Sequence, residues 1–475
     1  MRVSDVTEPR VAQRSFTDDQ DETMSSSAMR VVHVLPTDID GGAARGAHNL
    51  HVALRSQGVD SLMLVQRKYS DDPYVFSTSR AGGVWHSGLR DRLDRLPLRL
   101  HKWRREGWWT VGWLPFDVSE LIDQMKPDVV QFHWAGRGAA PIKILNRLAD
   151  LKYPMVWTLR DMWPLTGGCH YSNGCEKFLD KCGACPQLNS STSHDLSRWL
   201  WQRKFRAWQN VNLTYIAMCN WMADYARRSP LTFGNEISVI PNGIDVDKYT
   251  PADKAFARSV WRIEPGKKVI LFGALHATLD PRKGFSYLSE ALRRLAPKWK
   301  DRAVAVVFGG NMDGSDLGIP TRSVGRLHDD VSLALLYSTA DVMVVPSVQE
   351  NFGKTAIEAM ACGAPVVAFA NTGQIDILDH KINGYLAEDL SSEDLASGIE
   401  WCLEHPDHDD LARCARAKVV NSFDLKDVAA RHIDLYSRLV ARRHEADEHV
   451  LGQRAKAEIL DTIPSKSLTP TVKAS

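Results

Sequence analysis

The stretch DVMVVPSVQENFGKTAIEAMACGAPVVAF (Asp341–Phe369) joins two apolar runs through one short helical pattern. Its first run, DVMVVP, has the β-branched composition of a buried strand, and APVVAF repeats that composition at the other end. Between the two runs, KTAIEAMA favours a helix, which the Gly and Pro of CGAP end. Strand, helix and strand in this order predict one βαβ unit of a parallel sheet.

Short apolar runs separated by helical patterns recur on both sides of one linker. Before the linker, strands are predicted at Arg30–Leu35, Asp60–Val65, Asp128–His133, Met155–Leu159 and Leu213–Met218. After it, strands are predicted at Lys268–Gly273, Ala303–Gly309, Asp341–Pro346 and Ala364–Phe369. The linker, SVIPNGIDVDKYTP (Ser238–Pro251), is rich in the turn residues Pro, Gly, Asn and Asp. The sequence therefore predicts an α/β fold of two Rossmann-like domains, with the ligand site in the cleft between them.

The same pattern sets the expected domain boundaries. Polar segments at both ends of the chain are typical of disordered tails. We predict, in chain order, a tail at 1–28, an N-terminal domain at 29–245, a C-terminal domain at 252–425, a C-terminal helix at 426–442 and a tail at 443–475.

Composition narrows the class of protein. The chain has 475 residues, of which 44% are hydrophobic, as expected of globular domains with sizeable cores. Its 59 Lys and Arg residues nearly balance its 58 Asp and Glu residues, so the net charge does not favour nucleic acid as a partner. No apolar run of about eighteen residues predicts a transmembrane helix, and the N-terminus has no signal-peptide pattern. We therefore expect a cytoplasmic protein whose thiols stay reduced.

Two glutamates flank the loop and helix start within Asp341–Phe369. Glu350 follows the strand at its carboxyl end, and Glu358 lies about one to two turns into the helix. The helix start between them has free N–H groups and a positive dipole end, which suit a phosphate. It consists of Asn351, Phe352, Gly353, Lys354 and Thr355. A carboxylate can accept hydrogen bonds from both hydroxyls of a vicinal diol. Two carboxylates on either side of a phosphate site therefore suit a ligand with a diphosphate between two diols, which is the composition of a nucleotide sugar.

A family resemblance extends this interpretation. PSVQENFGKTAIEAMACGAPVVA resembles the E-x7-E signature of the large fourth family of retaining glycosyltransferases, which have the GT-B fold of two Rossmann-like domains. IPNGIDVDKY, DPRKGFSYL, VGRLHDDVSLALLYSTADVMVVPS and INGYL are similar to further motifs of that family and occur in its order. DGGAARGAHNLHVALRSQG and PDVVQFHW match it in the N-terminal half. The resemblance covers roughly Arg30 to Arg442.

The resemblance implies roles for residues of the C-terminal half. Glu350 would hold hydroxyls of the transferred sugar, and Glu358 would hold the ribose diol. Lys283, in DPRKGF, would place its ammonium on the diphosphate and stabilise the charge of the leaving group. Many members carry an arginine shortly after the strand that KVILFG resembles, where this chain has ALHATLDP. Arg282 is the expected substitute for that arginine.

The resemblance also implies donor contacts from the N-terminal half. Gly41 and Gly42 follow the first strand, where glycine lets the backbone approach a phosphate closely. His133 ends the strand DVVQFH at the edge that faces the cleft, and in relatives such a histidine contacts the donor sugar near the reacting carbon. Members of the family retain the anomeric configuration without a required catalytic metal, so no cofactor is expected for catalysis.

A cysteine-rich loop is predicted at 166–188, within WTLRDMWPLTGGCHYSNGCEKFLDKCGACPQL (Trp157–Leu188). Four cysteines lie within seventeen residues with the spacing C-x5-C-x6-C-x2-C; they are Cys169, Cys175, Cys182 and Cys185. Four clustered thiols suit tetrahedral zinc, so we expect a structural zinc site, with reduced thiols or regulatory disulfides as alternatives. A subset of the same family, linked to surface-polysaccharide synthesis, carries a similar segment but commonly has His in place of Arg160. Asp161 is either an acceptor-side acid or a cap of the following turn.

The segment Val84–Phe116 mixes basic residues with Trp and Leu. Residues 90–106 carry seven basic and three acidic side chains. A basic amphipathic element with Trp is typical of binding to a membrane interface, here the inner leaflet, where a lipid-linked acceptor would be found. An acceptor-facing lobe, or a solvated helix face packed on the core, explains the same pattern.

The resemblance implies a retaining glycosyltransferase that moves a hexose from a nucleotide-diphosphate sugar to a saccharide or lipid-linked saccharide in cell-surface polysaccharide biosynthesis. A GT-B nucleotide-sugar 2-epimerase would share the architecture but not the E-x7-E context. A non-catalytic nucleotide-sugar-binding or zinc scaffold protein would be favoured by loss of Glu350, Lys283 or His133, and all three are present. A dinucleotide oxidoreductase is disfavoured because DIDGGAARG lacks the G-x-G-x-x-G spacing.

Overall fold

The computed structural model describes residues 28–78, 87–101, 108–115, 117–137, 139, 142–273, 279–310 and 317–462. The predicted tail at 1–28 therefore lies outside the described residues except for its last residue, and so does 463–475 of the predicted C-terminal tail. The described residues form two parallel β-sheets surrounded by helices, followed by a long C-terminal helix. This arrangement confirms the predicted α/β architecture of two Rossmann-like domains.

The first sheet belongs to the N-terminal domain and contains seven strands, all paired in parallel. They are β1 (Arg30–Thr37), β2 (Asp60–Arg67), β3 (Val75–Ser77), β4 (Val129–Phe132), β5 (Met155–Leu159), β6 (Thr214–Ala217) and β7 (Ile237–Val239). Their order across the sheet is β3-β2-β1-β4-β5-β6-β7.

The second sheet belongs to the C-terminal domain and contains six parallel strands. They are β8 (Lys268–Gly273), β9 (Ala303–Phe308), β10 (Thr321–Gly325), β11 (Val342–Val345), β12 (Val366–Phe369) and β13 (Gly384–Ala387). Their order is β10-β9-β8-β11-β12-β13. The stretch Asp341–Phe369 thus forms β11, a helix and β12, as predicted.

Helices connect the strands within each domain. In the N-terminal half they are α1 (Gly42–Ser56), α2 (Ser87–Asp94), α3 (Ser119–Met125), α4 (Ile144–Asp150), α5 (Leu196–Trp208) and α6 (Asn220–Arg228). In the C-terminal half they are α7 (Lys254–Val260), α8 (Phe285–Trp299), α9 (Asp330–Ser338), α10 (Lys354–Ala361), α11 (Gln374–Ile377), α12 (Ser392–Leu403), α13 (His408–Phe423) and α14 (Leu425–Thr462). Within the described part of the chain, none of these helices combines the length and apolarity needed to cross a bilayer.

The central strands are continuous apolar runs because both faces of each sheet are covered there. Val32 and Val34 of β1 pack into one core of the N-terminal domain, and Val31 packs into a second core on the opposite face. That second core includes residues of α1 and α14. A strand buried on both faces has no solvent-facing positions, so its hydrophobicity does not alternate.

The strand order places the ligand crevice at one point in each domain. The first sheet reverses its direction of growth between β1 and β4, and the second reverses it between β8 and β11. Loops that leave the carboxyl ends of strands on either side of such a switch point diverge and open a crevice. Every residue predicted to contact the donor follows one of these four strands or lies in the helix after it.

The C-terminal helix is longer than predicted. It continues through Thr462, so the boundary expected at 442 is corrected, and 443–462 of the expected tail is helical. This part is rich in Ala, Glu, Arg and Leu, whose helix propensity is high enough to continue the helix. At its start the chain crosses back to the N-terminal domain, where Gln57 Nε2 donates to Lys426 O at 2.8 Å.

Candidate functional site

The loops after β8 and β11 bring Lys283 and Glu350 together. Lys283 ends a 3-10 turn, Pro281–Lys283, and its ammonium donates to Glu350 Oε2 at 2.5 Å. Both side chains are largely buried, with 23% of Lys283 and 15% of Glu350 exposed. Burial by itself would lower the pKa of Lys283, but Glu350 outweighs burial and raises that pKa. A charged ammonium and a carboxylate are therefore in contact at the switch point of the second sheet.

Gly284 explains how the lysine turn packs so closely onto the end of β11. It ends the turn with a φ of 69°, and a Cβ at this position would lie 1.7 Å from the carbonyl oxygen of Pro346. Only glycine meets both conditions. The close approach also lets Val348 N donate to Arg282 O at 2.8 Å, which joins the two loops.

The main chain around Glu350 is held by both domains. Glu350 N donates to Thr372 Oγ1 at 3.1 Å, and Gly373 N donates to Glu350 O at 2.9 Å. On the other side, Asn351 Nδ2 donates to Leu159 O, at the end of β5, at 2.7 Å. Because Leu159 belongs to the N-terminal domain, this bond ties the segment that carries Glu350 to that domain.

The predicted phosphate-binding helix start corresponds to the beginning of α10. Gly353 is the residue before the helix, which begins with Lys354 and Thr355. The ring of Phe352 is 5% exposed and packs edge-to-face on Phe423, with ring centroids 5.5 Å apart. The side chain of Phe352 is therefore part of the core, and a ligand could contact this residue only through its main chain.

Glu358 lies deeper than Glu350 and is only 4% exposed. Tyr337 Oη donates to its Oε2 at 2.8 Å, and the ammonium of Lys354 lies 3.1 Å from its Oε1. Burial, followed by Glu358, raises the pKa of Tyr337 well above its usual range, so the phenol stays a donor. A carboxylate has about four acceptor positions, so these two contacts leave capacity for a diol.

Arg282 lies beside the charged pair and contacts both domains. Its guanidinium pairs with Asp280 at 2.5 Å, and its Cζ lies 3.6 Å from the ring centroid of Tyr171, in the cysteine-rich loop. Burial lowers the pKa of Arg282, but Tyr171 and Asp280 outweigh burial and raise it. The structure thus places the predicted substitute arginine next to Lys283, as the sequence order requires.

The loop after β1 has the backbone expected of a phosphate-approach site. Gly41 has a φ of 99°, which favours glycine, and it immediately precedes α1. A Cβ on Gly41 or Gly42 would meet nothing within 4 Å, so the space in front of both residues is open. Gly42 is the first residue of α1.

His133 is not directed at a ligand in this structure. It is 1% exposed, its Nε2 lies 3.0 Å from His33 Nδ1, and its Nδ1 lies 3.5 Å from a guanidinium nitrogen of Arg160. Burial, followed by Arg160 and His33, holds the pKa of His133 well below its usual range. Both ring nitrogens therefore face protein groups, and the expected contact with the donor sugar stays a prediction that this geometry does not support.

His133 begins a chain of buried polar groups beneath α1. His33 Nε2 lies 3.1 Å from Ser61 Oγ, which lies 2.8 Å from His51 Nδ1, and His51 Nε2 faces Asp72 Oδ2 at 3.4 Å. Asp72 can only accept, and the Arg160 guanidinium at the other end can only donate. Each histidine is then neutral, with its proton on Nε2 and its lone pair on Nδ1.

Asp161 acts as a cap of the turn after β5, one of the two roles considered for it. Its Oδ1 accepts from Trp163 N at 2.9 Å, and its Oδ2 lies 2.5 Å from His170 Nδ1. His170 Nε2 in turn lies 2.8 Å from Thr110 Oγ1. Each carboxylate oxygen therefore already has one partner within the N-terminal domain, and the alternative role as an acceptor-side acid stays a prediction.

The four cysteines of the cysteine-rich loop line one cavity, and none of them forms a disulfide. Burial raises the pKa of Cys169 well above its usual range and that of Cys182 to about 12. Cys175 and Cys185 act in the same direction on the pKa of both thiols. Among the described residues, no group of three or more His, Cys, Asp or Glu side chains is placed to hold a metal ion as it stands. The zinc site therefore stays a prediction.

The predicted amphipathic segment is described at 87–101 and 108–115, while 79–86, 102–107 and 116 lie outside the described residues. One part is buried against the cysteine-rich loop: Leu98, Trp109 and Val111 form a small core with Cys185 and Leu188. The other part is exposed and includes Leu89, Leu96, Leu100, Trp108 and Trp113. The exposed basic side chains Arg92, Arg95 and Arg99 lie between them in sequence. The segment thus has the mixed apolar and basic surface that was expected.

Tyr171 and Gln349 are among the residues at the site that were not predicted from the sequence. Tyr171 lies over Arg282, and Gln349, next to Glu350, accepts from Asn173 N at 2.9 Å. Neither residue belongs to a periodic pattern. Their only sequence signal is position, since Tyr171 stands between Cys169 and Cys175, and Gln349 stands just before the first glutamate.

Comparison with known families matches the chain on both sides of its linker. The family model described as Glycosyltransferase Family 4 matches residues 40–248, and the one described as Glycosyl transferases group 1 matches residues 253–418. The first match contains most of the first sheet, and the second match contains the whole second sheet.

Curated relatives match over part of their length. D-inositol 3-phosphate glycosyltransferase 2 of Catenulispora acidiphila is 32% identical over 223 residues, which are 43% of this chain and 51% of the relative. A D-inositol 3-phosphate glycosyltransferase of Geodermatophilus obscurus is 33% identical over 181 residues, or 35% of this chain and 40% of the relative. The chain thus spans about half or less of the length of these relatives.

Solved structures share the overall fold at low identity. Sucrose-phosphate synthase from Thermosynechococcus elongatus has a TM-score of 0.62 at 19% identity, covering 87% of this chain and 100% of its own. Anabaena HepE in complex with UDP-glucose has a TM-score of 0.55 at 18% identity, with 86% and 100% covered. WaaG, a glycosyltransferase involved in lipopolysaccharide biosynthesis, has a TM-score of 0.57 at 16% identity, with 86% and 99% covered. These structures show that the fold is GT-B. Because the two family models together cover both domains, the chain belongs to the glycosyltransferases that these models describe.

Proposed function

We propose that the protein transfers a hexose, with retention of configuration, from a nucleoside-diphosphate sugar to a saccharide or lipid-linked saccharide acceptor. The observation that carries this proposal is the pair formed by Lys283 and Glu350, 2.5 Å apart at the switch point of the second sheet. Arg282 adds a second cation beside the pair. The proposed pathway is the synthesis of a cell-surface polysaccharide.

The pair suits a ligand that carries hydroxyls next to a diphosphate. An ammonium has three N–H groups, so Lys283 can keep its bond to Glu350 and still donate to phosphate oxygens. Glu350 retains acceptor positions for sugar hydroxyls after accepting from Lys283. Glu358, on the helix that follows, would accept from the ribose diol. One ligand with a sugar, a diphosphate and a ribose would satisfy all three side chains.

The charges at this point would act mainly on the leaving group. As the bond between the sugar and the diphosphate breaks, negative charge grows on the departing phosphate. Lys283 and Arg282 would stabilise that charge in a site that largely excludes water. The acceptor hydroxyl would attack from the side on which the phosphate leaves and give its proton to a phosphate oxygen, which retains the configuration.

The relatives suggest which donors to test first. Anabaena HepE was solved with UDP-glucose, so a UDP-hexose is the first candidate donor. The curated relatives act on D-inositol 3-phosphate, and WaaG is involved in lipopolysaccharide biosynthesis. Both a small phosphorylated polyol and a lipid-linked saccharide should therefore be tested as acceptors.

We expect acceptor access from a membrane surface through the exposed apolar and basic residues of 89–100 and 108–113. Trp and Leu exposed among arginines are typical of interfacial binding to anionic lipid. The protein should float with vesicles containing phosphatidylglycerol but not with pure phosphatidylcholine vesicles. Leu96→Ser with Leu100→Ser should abolish flotation, whereas Phe233→Ser, which removes a ring that is 83% exposed elsewhere on the domain, should not. Flotation that is unaffected by both leucine changes would remove this part of the proposal.

A structural zinc ion in the four-cysteine cavity is supported by the charge around it. The ammonium of Lys204 is fully buried and donates to the carbonyl oxygens of Trp163 and Thr166. Burial lowers the pKa of Lys204 strongly, and Cys169 and Cys182 act against that lowering. A tetrathiolate zinc site carries net negative charge and would favour the charged form of this buried amine. Zinc would hold the loop that faces the cleft and would take no part in the transfer.

The activity test measures nucleotide release and product configuration. The protein is incubated with UDP-, GDP-, ADP- and dTDP-hexoses and with octyl glycosides as acceptor probes, and the product anomer is determined by NMR. We expect one nucleotide to be released in step with formation of an α-linked product from an α-linked donor. A 2-epimerase would instead give an altered nucleotide sugar without an acceptor. Donor binding without any turnover would favour the scaffold alternative.

A further inference from the structure

The cysteine-rich loop of the N-terminal domain reaches across the cleft to the donor loops. The ring of Tyr171 faces the guanidinium of Arg282, with Cζ 3.6 Å from the ring centroid. Two residues further on, Asn173 N donates to Gln349 Oε1 at 2.9 Å. Gln349 Nε2 also lies 3.0 Å from Met162 Sδ of the N-terminal domain. This loop therefore contacts both segments that carry the charged pair of the candidate site.

The position of Tyr171 is fixed by the cysteine-rich loop itself. Gln187 Nε2 donates to Tyr171 O at 2.7 Å, which ties the two ends of the loop together. Cys169 and Cys175, on either side of Tyr171 in the sequence, both line the four-cysteine cavity. The fold of this loop therefore determines where the ring stands relative to the C-terminal domain.

We propose that Tyr171 is a positioning residue of the donor site, which holds the guanidinium of Arg282 over its ring so that Arg282 and Lys283 face the same diphosphate. This inference rests on the proposed function and deepens it. An arginine side chain that is free to rotate loses conformational entropy when it binds a ligand. Stacking on Tyr171 and pairing with Asp280 fix Arg282 beforehand, so the diphosphate binds to a preorganised cation. The N-terminal domain would thus complete the diphosphate site of the C-terminal domain.

The test compares two substitutions at Tyr171 with a matched control. Tyr171→Phe keeps the ring under Arg282, whereas Tyr171→Leu removes it. Tyr74→Leu is the control, because Arg55 lies over the Tyr74 ring at 3.1 Å on another surface of the same domain. We expect Tyr171→Leu to raise the donor KM about tenfold, with the acceptor KM and the thermal midpoint nearly unchanged. Tyr171→Phe and Tyr74→Leu should leave the donor KM within about twofold.

A second measurement asks whether the effect passes through Arg282. In an Arg282→Gln background, Tyr171→Leu should raise the donor KM no further, because the side chain it positions is gone. An equal increase in both backgrounds would overturn the proposal, as would an unchanged donor KM in folded Tyr171→Leu protein. An effect confined to the acceptor KM would also overturn it. If the wild-type protein shows no saturable donor dependence, the proposed function and this inference fall together.

Discussion

The ammonium of Lys283 donates to a carboxylate oxygen of Glu350 at 2.5 Å, across 67 residues of sequence and between the loops of two neighbouring strands. Gly284 makes this contact geometrically feasible, and main-chain bonds to Thr372 and Gly373 hold the carboxylate in place. The pair is therefore built by several parts of the fold. Substitutions in this pair should therefore change both the free energy of unfolding and kcat. The two effects can be told apart, because each is measured independently.

Replacing Lys283 by Met should lower kcat by about 100-fold or more, because the cation that faces the leaving group is lost. It should also destabilise the protein by about 1 to 3 kcal/mol, since Glu350 is left mostly buried without its partner. The double variant Lys283→Met with Glu350→Gln should regain much of the stability but none of the activity. Steady-state kinetics and denaturant unfolding measure the two quantities.

The control for this prediction is Lys298→Met. Lys298 also pairs with glutamates, Glu400 and Glu404, but it is 45% exposed and lies on α8 away from the cleft. The Lys298→Met variant should therefore leave kcat unchanged. A double variant at the site that recovers activity together with stability would show that the pair is only structural.

Gly284→Ala should be far more damaging than Gly325→Ala, although the two glycines have nearly equal φ angles of 69° and 71°. A Cβ on Gly325 would meet no atom within 4 Å, so its substitution should cost only about 1 to 2 kcal/mol of backbone strain. At Gly284 the same methyl group would clash with the Pro346 carbonyl oxygen. The free energy of unfolding should therefore fall by at least about 2 kcal/mol more than in Gly325→Ala. The kcat of Gly284→Ala should also fall, because Lys283 is displaced. Equal losses for both variants, measured by chemical unfolding, would contradict the packing described here.

Acidification from pH 7 to pH 5 should lower the free energy of unfolding. Burial holds the pKa of His33 and His133 well below the usual range and lowers that of His432 to about 4. Histidines of the unfolded chain titrate at about pH 6.5. The unfolded chain therefore binds more protons than the folded chain between pH 7 and pH 5. Each such histidine should contribute a slope of about 1.4 kcal/mol per pH unit. Chemical unfolding at a series of pH values measures the total slope.

The contribution of one histidine can be isolated by substitution. His432→Gln should reduce the slope by the contribution of about one proton, since His432 then no longer protonates on unfolding. His328→Gln, at an exposed position between β10 and α9, serves as the surface control and should leave the slope unchanged. If His432→Gln has the same slope as the wild type, the buried histidine is not the origin of acid sensitivity.

Purified protein should contain about one zinc ion per chain if the four thiols act as the expected tetrahedral ligands. Cys175→Ser should lower the zinc content, reduce the thermal midpoint and raise the donor KM, because the loop that carries Tyr171 loosens. Cys414→Ser, in α13 and outside the cavity, is the matched control and should retain the metal. Metal quantification combined with thermal unfolding shows whether the four thiols bind zinc. Metal-free protein with unchanged stability and donor KM would favour plain reduced thiols.

The sequence was sufficient for the features that depend on local patterns. Apolar runs located nine of the thirteen described strands and missed the short or partly exposed strands β3, β7, β10 and β13. The order of the motifs located Lys283 and Glu350 on adjacent loops. Doubly covered parallel strands make such predictions dependable, because their burial leaves a continuous apolar signal. The position of the ligand crevice then follows from the strand order alone.

Features that depend on tertiary contact could not be predicted in this way. The stacking of Tyr171 on Arg282 joins residues of different domains, and no periodicity encodes such a contact. The ring of His133 points to His33 because of side-chain packing beneath α1, although its place at the end of β4 had suggested the cleft. Similarly, α14 extends to Thr462 through helix propensity in a segment whose polarity had suggested disorder.

Donor binding to three proteins, measured by isothermal titration calorimetry, decides whether Glu350 belongs to a nucleotide-sugar site. Wild-type protein, Glu350→Ala and Glu404→Ala are titrated with UDP-, GDP-, ADP- and dTDP-hexoses. Glu404 is the control because it also pairs with a lysine, at 2.7 Å, but follows the end of α12, away from the cleft. We predict saturable binding of one nucleotide sugar by the wild type and by Glu404→Ala, with at least about tenfold weaker binding by Glu350→Ala. Equal binding by all three proteins, or no binding by folded wild type, would contradict the proposed donor site.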